Sequence, residues 1–112
     1  MLIYKILRAA EWADLTALGE TAGAPIDVTD GFVHFSTAEQ VVETAARHFT
    51  GESDLVLAAF ETDTLGAALK WEPSRGGALF PHLFAPLRHS DVVWQCALPV
   101  QDGLHVFPDL AP

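Results

Sequence analysis

Two short segments of the chain concentrate side chains that can move protons, bind anions or hold hydroxyl groups. The first reads Asp30-Gly31-Phe32-Val33-His34-Phe35-Ser36-Thr37. Alternate side chains of an extended strand share a face, so His34 and Ser36 point one way and Val33 and Phe35 the other. An imidazole, a small hydroxyl and the free N–H groups of a following helix can together hold a sugar hydroxyl or a phosphate. Gln40, one turn past Ser36, faces the same cleft. A purely structural explanation stands beside this one. Ser36-Thr37-Ala38-Glu39 fits a capping box, in which Ser36 accepts from the Glu39 N–H and Glu39 reaches back to Ser36. His34 is equally explained as a buried histidine bonded to backbone.

The second segment reads Trp71-Glu72-Pro73-Ser74-Arg75-Gly76-Gly77-Ala78-Leu79-Phe80-Pro81-His82. A carboxylate at a strand end, as at Glu72, can act as a general base, or hold a ribose hydroxyl and stabilise a developing cation. Arg75 beside two glycines can clamp a phosphate. His82 follows Pro81, whose preceding bond is one that can be cis. Singly, each residue has a bland explanation: a solvated Glu72, a surface ion pair for Arg75, a structural His82. Together they form a polar cluster in aromatic surroundings, the usual composition of a small-ligand site. A Ser36–His34–Asp30 triad can be drawn, but the sequence has no nucleophile elbow. His34, His82 and Glu72 are metal-ligand types without a short-spaced pair to support them. His48 and His89 lack neighbours at functional spacing. Cys96 alternates with Val92 and Trp94 and reads as core.

The elements that must position these residues follow from periodicity. Residues 2–7 are apolar and β-prone, and residues 10–18 carry Trp12, Leu15 and Leu18 at helical spacing, with Gly19 or Gly23 to end the helix. Residues 21–30 hold Gly23, Pro25 and two aspartates and read as a loop. Residues 32–35 form a short strand. A helix is predicted from about Thr37 to Phe49. Residues 55–60 are continuously apolar, as in a strand buried on both faces. Residues 63–69 have room for one helical turn. Pro81 demotes residues 79–84 to an edge or irregular strand. Residues 92–98 form the last clear strand, and residues 105–107 can add a short one. The expected fold is α+β: a small curved mixed sheet with two main helices, in one domain over residues 1–112.

Composition bounds the function. Half of the 112 residues are hydrophobic and 19% are charged, which excludes a disordered chain. Fifteen acidic residues against six basic ones give a net charge of −9, with no two cations adjacent. A nucleic-acid or anionic-membrane surface is therefore not expected, since such surfaces need clustered cations. A small anionic ligand still is, because one arginine and a few N–H groups suffice for a phosphate. One cysteine excludes a disulfide framework. No apolar run is long enough for a membrane helix, and the N-terminus lacks a secretory pattern, so the expected location is the cytoplasm. Nothing in the sequence specifies an oligomeric state.

The two segments resemble a bacterial family of uncharacterised proteins, domain of unknown function 952. Its members carry an N-terminal Y-K-I strand, a G-F-I/V-H-x-S-T-x-x-Q segment and an F-P-H segment. Here these are Tyr4-Lys5-Ile6, Gly31-Phe32-Val33-His34-Phe35-Ser36-Thr37-Ala38-Glu39-Gln40 and Phe80-Pro81-His82. The resemblance covers nearly the whole chain. It implies a fold similar to a small ADP-ribosyltransferase, the group that includes toxins, poly-ADP-ribose polymerases and RNA 2′-phosphotransferases. By that analogy His34, Ser36 and Thr37 would hold a nucleotide, NAD or ADP-ribose. Glu72 would be the catalytic residue, stabilising the ribosyl cation, and Gln40, Arg75 and His82 would complete the ligand site. Those enzymes often stack nicotinamide on a tyrosine. The only tyrosine here is Tyr4, so stacking would fall to Phe84 or Trp71. The phosphotransferases grip RNA with several basic residues, a surface this acidic chain lacks. The expectation is a domain that binds a small nucleotide-like molecule and, if an enzyme, one that acts on NAD. The alternatives are a non-catalytic module for a metabolite or protein, and a metal-assisted hydrolase using His34, His82 and Glu72.

Overall fold

Strand β1 (Leu2–Arg8) is apolar along its length and runs through the middle of the protein, followed by α1 (Ala9–Leu18), β2 (Glu20–Thr21) and α2 (Pro25–Asp30). Next come β3 (Val33–His34), β4 (Ser36–Thr37), α3 (Val41–His48), β5 (Leu55–Glu61) and α4 (Thr62–Leu65). The second half holds β6 (Leu69–Pro73), β7 (Leu79–Leu83), β8 (Leu87–Arg88), β9 (Val92–Leu98), β10 (Val100–Gln101) and β11 (Leu104–His105). This computed structural model describes all 112 residues, apart from the side chain of Arg75.

The strands form a four-stranded sheet in the order β4-β1-β5-β9 and a three-stranded sheet β3-β7-β6, with two-stranded ladders β2-β8 and β10-β11. Every pairing is antiparallel. The fold is α+β as expected, but the single mixed sheet is corrected to several antiparallel sheets, and α2 and α4 join the two longer helices α1 and α3.

Phe35 explains the division. Its ring is buried, with its centroid 5.1 Å from that of Phe60. Its N–H donates to the Pro81 carbonyl at 3.0 Å. On one side of it β3 pairs with β7, and on the other β4 pairs with β1. A segment that reads as one strand thus serves two sheets.

Strands buried on both faces separate two apolar clusters. Ile3 and Leu7 of β1 join Leu15, Val33, Phe35, Ala58, Phe60 and Leu83 in one. Tyr4 and Ile6 join Val41, Ala45, Leu57, Ala59 and Leu98 in the other. The alternation along β1 and β5 follows from the two-residue strand period.

Three local expectations are corrected. Residues 21–30 are not all loop, because Pro25 opens α2 at the first helical position, where a missing N–H costs nothing. Asp27 then accepts from the Ala24 N–H at 2.7 Å. The capping box at Ser36 does not form. β4 keeps Ser36 and Thr37 extended against Tyr4 and Ile3, and α3 begins only at Val41. Ladder hydrogen bonds outcompete the helix there. Finally, β7 is the central strand of its sheet despite Pro81. Pro81 faces Trp71 on one side; on the other its carbonyl still accepts from the Phe35 N–H at 3.0 Å, and the β3–β7 ladder ends at His34, where proline has no N–H to return. The peptide before Pro81 is trans, since no described bond is cis. No helix among the described residues is long and apolar enough to cross a membrane.

Candidate functional site

The site is built around a carboxylate absent from the expected set. The Asp27 side chain is 0% exposed. Oδ2 accepts from the Lys5 ammonium at 3.0 Å and from the Ala24 N–H at 2.7 Å. Oδ1 accepts from the His34 N–H at 2.9 Å and meets His34 Nδ1 at 2.6 Å. Burial pushes the Asp27 carboxyl up. The His34 hydrogen bonds and the Lys5 charge overcome that and hold it at about 2, below its ordinary 3.8. Lys5, itself buried, also donates to the His34 carbonyl at 3.0 Å.

Local sequence accounts for this geometry. Pro25 and the third-position Asp27 start α2, and Gly31 at φ 84° ends it by donating to the Asp27 carbonyl at 2.9 Å. The turn delivers β3 directly onto the carboxylate. His34 is thereby held by both its backbone and its ring. A carboxylate only accepts, so Nδ1 carries the proton and Nε2 faces outward. Nε2 lies 3.0 Å from Asp30 Oδ2, a bond the ring donates only when both nitrogens are protonated.

His82 stands directly opposite His34 across the β3–β7 ladder. Their ring centroids are 5.5 Å apart. Glu72 Oε1 lies 2.8 Å from His82 Nδ1, repeating the carboxylate–imidazole arrangement. Phe32 stacks on His82 at 4.1 Å and leans on His34 at 4.6 Å, with Phe84 5.2 Å from Phe32. Two carboxylate-backed histidines thus share an aromatic neighbour.

A cavity of about 640 Å³ opens beside them. His34, Ser36 and His82 all lie on its wall, with Lys5, Asp27 and Phe80. Arg8, Phe49 and His48 lie on the wall as well, with Arg8 over the Phe49 ring at 4.8 Å and bonded to Glu52 at 2.9 Å. Such a lining, apolar with a few convergent polar groups, suits a small organic ligand. The described residues contain no group of three or more His, Cys, Asp or Glu side chains arranged to hold a metal ion.

The remaining expected residues are placed differently. Ser36 Oγ shares a 2.9 Å hydrogen bond with Thr44 Oγ1. Gln40 Oε1 accepts from the Thr37 N–H at 3.0 Å, and its Nε2 donates to the Leu79 carbonyl at 2.8 Å. Thr37 and Gln40 therefore tie the turn before α3 to β7 and are not on the cavity wall. Glu72, on β6 opposite Phe80, is also off the wall and, among the described residues, meets the cavity lining through His82. The Arg75 side chain lies outside the described residues.

Sequence reasoning missed Asp27 and Lys5. The signals were a lone lysine inside an otherwise apolar strand and an acid two residues after a proline. Both point to a buried ion pair, because a lysine so placed needs a partner.

Relatives share this architecture closely. The crystal structure of protein CC0527 from Caulobacter crescentus is 50% identical, covering 95% of this chain and 94% of that one, with a TM-score of 0.91. A crystal structure of a double mutant of that protein is 48% identical over 95% and 94% of the two chains, at a TM-score of 0.90. The solution NMR structure of CC0527 is 51% identical over 92% and 90%, at 0.83. No curated protein matches the chain. Residues 6–95, which hold both histidine segments, match the family described as protein of unknown function, DUF952, and the chain belongs to that family.

Proposed function

We propose that the protein is a small-ligand-binding domain whose cavity takes a nucleotide-like molecule, with His34 as its principal polar contact. The observation that carries this reading is the convergence of His34, Ser36 and His82 from two sheets on one cavity of about 640 Å³. Asp27 fixes the His34 ring, so the entropy of orienting it is already spent before a ligand arrives. The likeness of the family's fold to the ADP-ribosyltransferases supports NAD or ADP-ribose as the ligand class, by analogy of fold alone. Glu72 acts here by orienting His82, and any transfer of ADP-ribose would require it to turn into the cavity.

A thermal-shift series with NAD, ADP-ribose and AMP tests the reading. A ligand at a hundred times its Kd stabilises the folded state by about 2.7 kcal/mol, which raises the midpoint of a domain this size by several degrees. The expected outcome is such a shift with at least one of the three, lost in His34→Ala. A shift that survives in His34→Ala, or none with any nucleotide, contradicts it.

A further inference from the structure

The two carboxylates on the cavity wall are held in opposite ways. Asp27 is fully enclosed, and its oxygens are bonded to Ala24, Lys5 and His34. Asp30 has a side chain 39% exposed and, among the described residues, one ion pair, to His34 Nε2 at 3.0 Å. It is the last residue of α2, just before Gly31. The His34 ring does not depend on it, because Asp27 holds Nδ1 from the other side.

We propose that Asp30 occupies the place of the ligand's anionic oxygen, and that the ligand presents a phosphate or carboxylate group to His34 Nε2 by displacing it. This rests on the cavity reading above and names the chemical group that the cavity recognises. The charge on the wall favours it. The chain as a whole carries −9, yet among the described residues the wall holds Lys5, three histidines and Arg8, the last paired with Glu52 and Glu11 outside the wall, against two aspartates. Lys5 neutralises Asp27 at 3.0 Å. Once Asp30 swings out, no unpaired carboxylate among the described residues faces the cavity. The Lys5 ammonium has three N–H bonds, and its contacts to Asp27 Oδ2 and the His34 carbonyl engage two of them.

Internal competition of this kind weakens apparent affinity by the fraction of molecules whose site is free. Removing the competitor therefore tightens binding. Calorimetric titration of AMP and adenosine into the wild-type protein, Asp30→Ala, Asp30→Asn and His34→Ala tests this, with inorganic phosphate and acetate as separate probes. The expected results are AMP binding more tightly than adenosine, an AMP Kd lowered about tenfold in Asp30→Ala, and binding lost in His34→Ala. Phosphate binding without acetate binding assigns the anion as a phosphoryl group, and the reverse assigns a carboxylate. Equal affinity for AMP and adenosine overturns the proposal while leaving the cavity reading intact. So does an AMP Kd unchanged or raised in both Asp30 variants, which would make Asp30 a contact for the ligand's hydroxyl groups. Absence of AMP, adenosine and anion binding in every variant overturns both.

Discussion

Asp27 is the residue on which the site depends. It is a buried anion shared by Lys5, His34 and a helix start. Removing one partner of a buried pair is costly because the other charge stays behind. Asp27→Asn strands the Lys5 ammonium and is expected to lower the unfolding free energy by about 3–5 kcal/mol in denaturant titration. The double replacement Asp27→Leu with Lys5→Met should cost less than that single change, since no charge is left unpaired. Should the double variant be the less stable, Asp27 matters for packing and not for charge. The carboxyl also gives a pH signature. Its folded-state pKa of about 2 lies below the ordinary 3.8, so its stabilisation is complete above pH 3.8 and is lost as pH falls through 2. The contribution is about 2 kcal/mol at neutral pH. Acid unfolding of the wild type should steepen between those values, and Asp27→Asn should lack that part of the profile.

At the scale of elements, most of the fold was legible and most of the site's support was not. β1, α1, β5 and β9 follow from periodicity, because burial on one or two faces repeats every two or 3.6 residues. His34, Ser36 and His82 were legible as a polar set because strand alternation puts His34 and Ser36 on one face. The ladder partner of His34 was hidden, since nothing local shows that His82 stands opposite it. Two short elements resisted reading because tertiary pairing decided them. β4 exists through its pairing with β1, and Pro81 sits in β7 where the β3 ladder ends, still accepting from the Phe35 N–H. α2 was hidden by its glycine and proline, which in fact position it. Gly23 has φ 94°, and a methyl there would lie 2.9 Å from the Asp27 Cβ and Cγ. Gly31 has φ 84° with open space around it. Gly31→Ala is expected to cost about 1–2 kcal/mol, the penalty of a left-handed alanine. Gly23→Ala should cost clearly more and should also disturb the His34 ring, visible in its imidazole proton resonances. Equal costs at the two glycines would show that contact with Asp27 is unimportant.

The whole molecule closes through its C-terminal segment. Phe107 and Leu110 pack on the cluster around Tyr4, and the Tyr4 hydroxyl donates to the Ala111 carbonyl at 2.5 Å. Burial raises the Tyr4 phenol above its usual range. Deleting residues 107–112 removes two partly buried side chains and should lower stability by about 1–3 kcal/mol, less than the loss of fully buried ones, and move the Tyr4 phenol back toward its ordinary range in ultraviolet absorbance. A truncated chain as stable as the full one would contradict that packing. The central claim is that His34, Ser36 and His82 line a working ligand cavity. Its most direct test is a two-dimensional NMR titration of the labelled protein with ADP-ribose. The account predicts saturable shifts in β3, β4 and β7, including the His34 and His82 ring signals, with β10 and β11 unaffected. Saturating ADP-ribose without shifts at those residues, or with shifts confined to another surface, would contradict it.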